Sequence, residues 1–306
     1  MFMDERARND VHKCLLFILQ DINRICRKYD IKYTLGYGTL IGAVRHKGFI
    51  PWDDDADLCM TRKEYNKFCK VVKDELNELL EFSAPKKKFY GDLPKVFLKN
   101  AFMACESLDC SNWFIYENIR VDIMIVDVFS KVDYYRFRFL DTVCSWGERK
   151  TAVISSFFGY LSIPLVVFTA KILPLQKLER KTQRFVDEIL RKSCKTLEEF
   201  PESTGRVSAR NSVWAERTRL PASFFEDVEL VDFENIKLPI SKHYHPILTQ
   251  IYGDYMTPPP DRQNVNLAVW EERQNSRLGH GSVFVKITPS IQKKMDEFWD
   301  LVHQKE

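Results

Sequence analysis

The chain has 306 residues, with 46 Lys plus Arg against 43 Asp plus Glu, eight cysteines and 45% apolar residues. That length suits one large domain or two modest ones, and 29% charge beside 13% aromatics excludes a disordered or fibrous chain. A formal charge of +3 supplies no extended basic surface, which argues against nucleic acid as a partner.

In chain order, Leu15, Ile18, Leu19, Ile22, Ile25 and Cys26 recur at helical spacing and predict an amphipathic helix over 5–29. Residues 31–37 read as a strand closed by Gly36 and Gly38. Thr39 is placed to cap a short helix through Arg45, which Lys47, Gly48 and Pro51 end. A second strand is predicted over 56–60. Tyr65, Phe68, Val71, Val72, Leu76, Leu79 and Leu80 then mark a second amphipathic helix. Residues 121–129 are almost uniformly apolar, the pattern of a strand central in a sheet.

Residues 151–170 carry no charge over about the length that spans a bilayer. Ser155, Ser156, Gly159, Ser162 and Pro164 dilute the run, and Arg149, Lys150 and Lys171 flank it. A buried helical hairpin, a peripheral membrane contact through 151–175 and a true span all stay open. Beyond it a charged helix is expected over 178–190 and a strand pair over 228–240 turning at Asn235. The YGDY run 252–255 and the prolines 258–260 read as a rigid aromatic loop, and 288–302 as a closing helix capped by Thr288. The cysteines form no CxxC or zinc spacing, and the start lacks a basic-then-apolar signal. The thiols therefore read as reduced in a cytoplasmic chain.

The informative stretch is GYGTLIGAVRHKGFIPWDDDAD, residues 36–57. Asp53, Asp54, Asp55 and Asp57 repel one another, so holding them together costs stability without a cation. Alternation along a strand makes Asp55 and Asp57 converge, turns Asp54 and Ala56 away and leaves Asp53 in the turn after Pro51. Oxygen ligands of this kind, with space for phosphate oxygens, suit Mg²⁺ (or Mn²⁺). A solvated acidic turn is the plainer reading. Against it stand the aromatic Trp52 before the acids and the apolar strand after them. The Gly38-Thr39 helix start upstream is a natural phosphate site, and Arg45, His46 and Lys47 add positive charge. Asp122, an acid inside an apolar strand, needs a metal or a basic partner. Asp127 has the opposite parity and reads as a supporting or capping acid. Gly-Thr, Asp-x-Asp and a distant third Asp are the working set of nucleotidyltransferase-fold enzymes.

The run GTLIGAVRHKGFIPWDDDADL resembles the signature of the LicD family, bacterial phosphorylcholine transferases related to the fukutin proteins. The resemblance extends to Arg120-Val-Asp-Ile123 and, more loosely, to the segments 233–239 and 252–255; the middle, 130–210, shows none. It implies an α+β fold: a nucleotidyltransferase-like mixed sheet flanked by helices, with a helical insertion. On this reading 1–130 is the catalytic core, 131–190 a helical, partly uncharged segment and 191–306 the part completing the core and acceptor site. The implied reaction moves a phospho-substituent, phosphocholine foremost, from a CDP-linked donor to a sugar hydroxyl of a lipopolysaccharide, teichoic acid or capsule, releasing CMP. The implied place is the cytoplasm, at the inner face of the membrane, where a lipid-linked sugar acceptor is met. CDP-ribitol, CDP-glycerol or phosphoethanolamine donors are alternatives, as is a nucleotidyltransferase acting on nucleic acid or a small molecule. Residue by residue, Asp55 and Asp57, with Asp53 beside them, would hold the metal, and Asp122 would be third ligand and base. Gly38, Thr39, Arg45 and Lys47 would contact donor phosphates, with Trp52 and Tyr252 as further substrate contacts. Ala56 replaces the family's usual aliphatic residue, and a histidine often found after the prolines is absent from 261–266. Weaker signals are the His243/His245 pair, which lacks a third ligand, the basic run 85–88, the stacking candidates Tyr255 and Trp270, and Trp113 and Trp214 as core.

Overall fold

The chain opens with a buried stripe. Val11, Cys14, Leu15, Ile18, Leu19, Ile22 and Ile25 are sealed from solvent along one face of α1 (Glu5–Lys28). A computed structural model describes residues 5–84, 93–106, 113–128, 204–205, 223–258 and 283–303, with Arg184 and Glu188. Helix α1 closes on Arg27 and Lys28, cations that suit the negative end of its dipole. Asp30 then takes a left-handed φ of 50° to turn the chain.

β1 (Thr34–Leu35) is shorter than the expected strand, because α2 (Tyr37–His46) already begins after Gly36. Thr39 does not cap this helix. Gly36 occupies the cap position with no side-chain bond, and Thr39 sits inside the first turn with its hydroxyl turned to another strand. At the far end Lys47, not Gly48, adopts the left-handed conformation, with φ 56°. Gly48 is required for another reason: a Cβ there would lie 2.1 Å from a Glu234 carboxylate oxygen.

β2 (Ala56–Thr61) leads directly into α3 (Arg62–Glu75). The expected helix ran on to Leu80, but the chain leaves helical geometry at Leu76. The Asn77 N–H donates to the buried Asp21 carboxylate, and the Asn77 side chain accepts from Leu79 N–H. Leu79 and Leu80 thus reach the core from a turn and from β3 (Leu80–Ser83), mimicking helical spacing.

β4 (Lys95–Glu106) and β5 (Trp113–Val128) complete a sheet of order β1-β2-β5-β4-β3. β5 is central, as its apolar run predicts, and pairs parallel with β2 and antiparallel with β4. Segments far along the chain join in. β6 (Thr204–Gly205) pairs the end of β5, and β9 (Val283–Ile287) pairs the second half of β4. Helices α1 and α3 pack on these strands. After α4 (Ser223–Glu226), the hairpin β7 (Val228–Phe233) and β8 (Ile236–Ser241) turns at Glu234-Asn235, as expected. Ser241 N–H donates to Thr34 Oγ1 at 2.7 Å, fastening the hairpin to β1. α5 (Tyr244–Tyr252) and α6 (Pro289–His303) follow.

The architecture is therefore a mixed α/β sheet flanked by helices. Among the described residues no helix is long and apolar enough to cross a membrane. The uncharged stretch 151–175, the basic run 85–88, Trp214, Trp270 and most of 178–190 lie outside the described residues. Of the cysteines, Cys14, Cys26 and Cys59 are buried thiols outside any disulfide and Cys69 is a half-buried one.

Candidate active site

The loop opening α2 and the first residues of β2 are tied to each other at Asp57. Gly36 N–H donates to the Asp57 carbonyl at 2.9 Å, and Asp57 N–H donates to Thr39 Oγ1 at 2.8 Å. Thr39 thus holds the backbone of an aspartate rather than the start of its own helix. Gly36 has no room for a side chain, since a Cβ there would come 2.7 Å from Cys59 Sγ.

The four aspartates are arranged differently from the alternation expected of a strand. β2 begins only at Ala56, so Asp54 and Asp55 lie in irregular chain to which strand parity does not apply, while Asp53 closes the turn after Pro51, as expected, its N–H donating to the Ile50 carbonyl at 2.9 Å. Asp54 therefore does not face away. Oxygens of Asp53, Asp54 and Asp55 lie within 4.8 Å of one another. Asp53 is the most enclosed, at 9% exposure, with its carboxylate against the first turn of α2. A Cβ on Gly38 would meet Asp53 Oδ2 at 2.7 Å, so this approach depends on glycine. Burial first, then the charges of Asp55 and Asp54, push the Asp53 carboxyl well above the usual carboxylate range. Asp53 also hydrogen-bonds the Asp55 carboxyl, an arrangement that needs a shared proton or a cation between them. An all-oxygen set of this kind fits a hard divalent ion such as Mg²⁺ or Mn²⁺.

Asp57 lies beside this cluster, on the opposite face of β2 from the buried Ala56 and Leu58. Its register partner across the parallel ladder is Asp122. Lys95 faces Asp122 from the other side, so Asp57, Asp122 and Lys95 form one row across three strands. Neighbouring strands run about 4.8 Å apart, so these groups meet side by side. Arg120, two residues before Asp122 on the same face, sets Nε 3.2 Å from both Asp122 oxygens. It is the basic partner that an acid in an apolar strand requires. Asp127 points elsewhere: its carboxylate is held by Arg62 at the start of α3.

Tyr252, at the end of α5, reaches the same place from the C-terminal part of the chain. Burial of its phenol, then the fields of Asp57, Tyr37, Asp53 and Asp55, raise its hydroxyl and keep it a donor. Arg45 and Lys47 are placed otherwise. Arg45 donates to the Tyr255 carbonyl at 2.7 Å and to His46 Nε2 at 2.9 Å, with its guanidinium 5.9 Å from the Trp52 ring. It braces α2 against the 253–257 loop. Lys47 is exposed and ends α2 opposite Gly38 and Thr39. His245 bonds the Tyr255 hydroxyl and His243 faces Asp227; neither joins a metal-type cluster among the described residues.

Three supporting residues escaped the sequence reading. His12 of α1 donates from Nε2 to the Asp53 carbonyl at 2.8 Å and stacks on Phe49 at 4.5 Å; burial lowers its pKa, keeping the ring neutral. Glu234 accepts from Phe49 N–H at 2.9 Å, while its own N–H donates to the Lys47 carbonyl at 2.7 Å. The hairpin turn therefore clasps the strap running into the aspartates. Arg120 is the third, and only its two-residue spacing from Asp122 signalled it.

Residues 30–142 match the family described as "LicD/FKTN/FKRP, nucleotidyltransferase domain". The lipopolysaccharide cholinephosphotransferase LicD of Haemophilus influenzae is 30% identical over 256 residues, 80% of this chain and 90% of that protein. An uncharacterised protein of Rickettsia prowazekii is 31% identical over 102 residues, 33% of this chain and 36% of its own. Another from Rickettsia typhi is 38% identical over 55 residues, 18% of each chain. The matched segment carries every aspartate of the cluster together with Asp122, and the chain belongs to the LicD family.

Proposed function

We propose that the chain is a divalent-metal-dependent transferase moving phosphocholine from a CDP-linked donor to a sugar hydroxyl of a cell-surface glycan. The observation that carries this reading is the register of Asp57 with Asp122, beside the Asp53–Asp55 cluster at the start of α2. The relative's activity on lipopolysaccharide supports the choice of head group and acceptor. A lipid-linked acceptor would place the reaction at the inner face of the cytoplasmic membrane.

On this reading Asp55, Asp57 and Asp122, with Asp53, would hold Mg²⁺ (or Mn²⁺). The ion would offset charge on the donor diphosphate and on departing CMP. The N–H groups opening α2, at Gly38 and Thr39, lack helical partners and face the donor phosphates. Asp122, oriented by Arg120, aligns the acceptor hydroxyl and takes its proton as the oxygen attacks phosphorus. The bond from that phosphorus to the CMP oxygen breaks, and CMP leaves with the electron pair. Tyr252 donates its hydroxyl to the bound phosphate group.

The test is magnesium-dependent CMP release from CDP-choline, compared with CDP-ribitol and CDP-glycerol, in the presence of a glycan acceptor. CDP-choline should be consumed fastest. A preference for CDP-ribitol or CDP-glycerol would replace the head group, and inertness toward all three would overturn the reading.

A further inference from the structure

Asp53 is fastened at its backbone and at its carboxylate, by different parts of the fold. The carboxylate lies against the first turn of α2, where the absent side chain of Gly38 leaves the space. The Asp53 N–H donates to the Ile50 carbonyl at 2.9 Å. The Asp53 carbonyl accepts from His12 Nε2 at 2.8 Å, across 41 residues. A carbonyl only accepts, so Nε2 carries the proton and His12 is the donor. The ring is itself held in place. It stacks on Phe49 at 4.5 Å and 17°, and Phe49 meets Phe233 edge-on at 4.8 Å. The Glu234 carboxylate takes the Phe49 N–H at 2.9 Å, so the strap 48–53 is gripped by α1 and by the hairpin turn together. Asp54 and Asp55 are suspended between this anchor and the start of β2 at Ala56. The position of Asp53 therefore sets theirs.

We propose that His12 is a positioning residue that sets which divalent ion the aspartates accept. It acts through the Asp53 backbone rather than on the ion, and the proposal rests on the metal-site part of the reading above. Mg²⁺ demands a near-ideal octahedral set of oxygens at about 2.0–2.1 Å, whereas Ca²⁺ accepts a looser shell at about 2.3–2.6 Å. Carboxylates on a short segment fixed at both ends suit the smaller, stricter ion. Releasing the end at Asp53 costs Mg²⁺ its geometry and leaves Ca²⁺ nearly unaffected. The hydrogen bond, not the ring stack, carries this role, because it alone reaches the backbone of a ligand residue.

The experiment is a Mn²⁺ titration of the full chain followed by electron paramagnetic resonance, with Mg²⁺ and Ca²⁺ as competitors and no CDP-linked donor. Two variants separate the donor from the ring. His12→Phe keeps the stack on Phe49 and loses the hydrogen bond, while His12→Gln keeps an N–H at similar reach and loses the ring. His12→Phe should bind Mg²⁺ at least tenfold more weakly, with Ca²⁺ affinity within twofold of wild type, so the preference for Mg²⁺ falls at least fivefold. His12→Gln should keep that preference within twofold of wild type. Circular dichroism checks the fold of each; should His12→Phe not fold, His12→Leu takes its place as the variant without a donor. An unchanged preference in the folded variant without a donor, equal weakening toward both ions, an equal loss in His12→Gln, or a wild-type chain that takes up no Mn²⁺ would overturn the role. CMP release from CDP-choline by the same wild-type preparation reports on the transfer separately. Release of CMP beside an unchanged ion preference would remove the role of His12 and leave the transfer standing. The expected ion pattern in a chain inert toward every CDP-linked donor would keep that role and remove the transfer.

Discussion

Replacing Arg62 with Met strands a carboxylate that is 1% exposed. In the wild type Arg62 Nε and Nη2 donate to the two Asp127 oxygens at 2.7 and 2.8 Å, joining the start of α3 to the end of β5. Removing one member of a buried pair costs about 3–5 kcal/mol, because the remaining charge cannot reach water. Against a domain stability of about 5–15 kcal/mol, that is a large fraction. Asp127→Asn should cost less, about 1–3 kcal/mol, since Arg62 keeps partial access to solvent and the amide still accepts one bond. The double variant Arg62→Met/Asp127→Leu removes both charges and should recover most of the loss. Urea unfolding followed by tryptophan fluorescence measures all three, with CMP release assayed well below each midpoint. Turnover per folded molecule should stay near wild type, because Asp127 supports the fold and does not face the aspartate cluster. Wild-type stability in Arg62→Met, or a double variant weaker than either single one, would refute the reasoning.

Gly38→Ala should fold but bind magnesium at least tenfold more weakly, because the new Cβ would come 2.7 Å from Asp53 Oδ2 and push that oxygen aside; unchanged magnesium dependence of turnover would contradict this. Glu234→Ala leaves the buried Phe49 N–H without its acceptor and should cost about 1–3 kcal/mol in urea unfolding. Glu75 is held below its usual 4.5 by hydrogen bonds from Lys28 and then Tyr29, so its contribution is present above that value and lost as pH falls through the folded one. The gap in Tm between wild type and Glu75→Gln should therefore be full near neutrality and close on acidification below about 4.5; a gap that widens would be inconsistent with the pairing.

Much of this was legible because the signals were local. The apolar stripe of α1 and the hairpin turn at Asn235 depend on residues close in sequence and formed where expected, while the uniform run 121–129 marked only the second half of β5, which starts at Trp113. The acidic cluster was legible as chemistry but less so as geometry. Strand parity was applied to Asp54 and Asp55, which the structure holds as irregular chain after a turn that His12 and Ile50 pin at Asp53, where the sequence placed it. Thr39 has the composition of a cap, yet its hydroxyl serves Asp57 across 18 residues, a contact that no local rule contains. Arg45 and Lys47 were chosen for their charge, whereas cation placement depends on where α2 ends and on which loop packs beside it. Leu79 and Leu80 kept helical spacing while belonging to a turn and a strand, because both periods can deliver a residue to the same core. His12 and Glu234 act over 41 and 185 residues, and only the folded chain identifies their partners.

The central claim is that Asp57, in register with Asp122, belongs to a metal-dependent transfer site. Its most direct measurement is phosphocholine transfer by purified Asp57→Asn from CDP-choline with magnesium present, alongside its circular dichroism and Tm. The account predicts wild-type spectra and a near-wild-type Tm, with transfer reduced at least a thousandfold, on the scale of lost transition-state charge stabilisation. Transfer at the wild-type rate by a folded Asp57→Asn protein would contradict it.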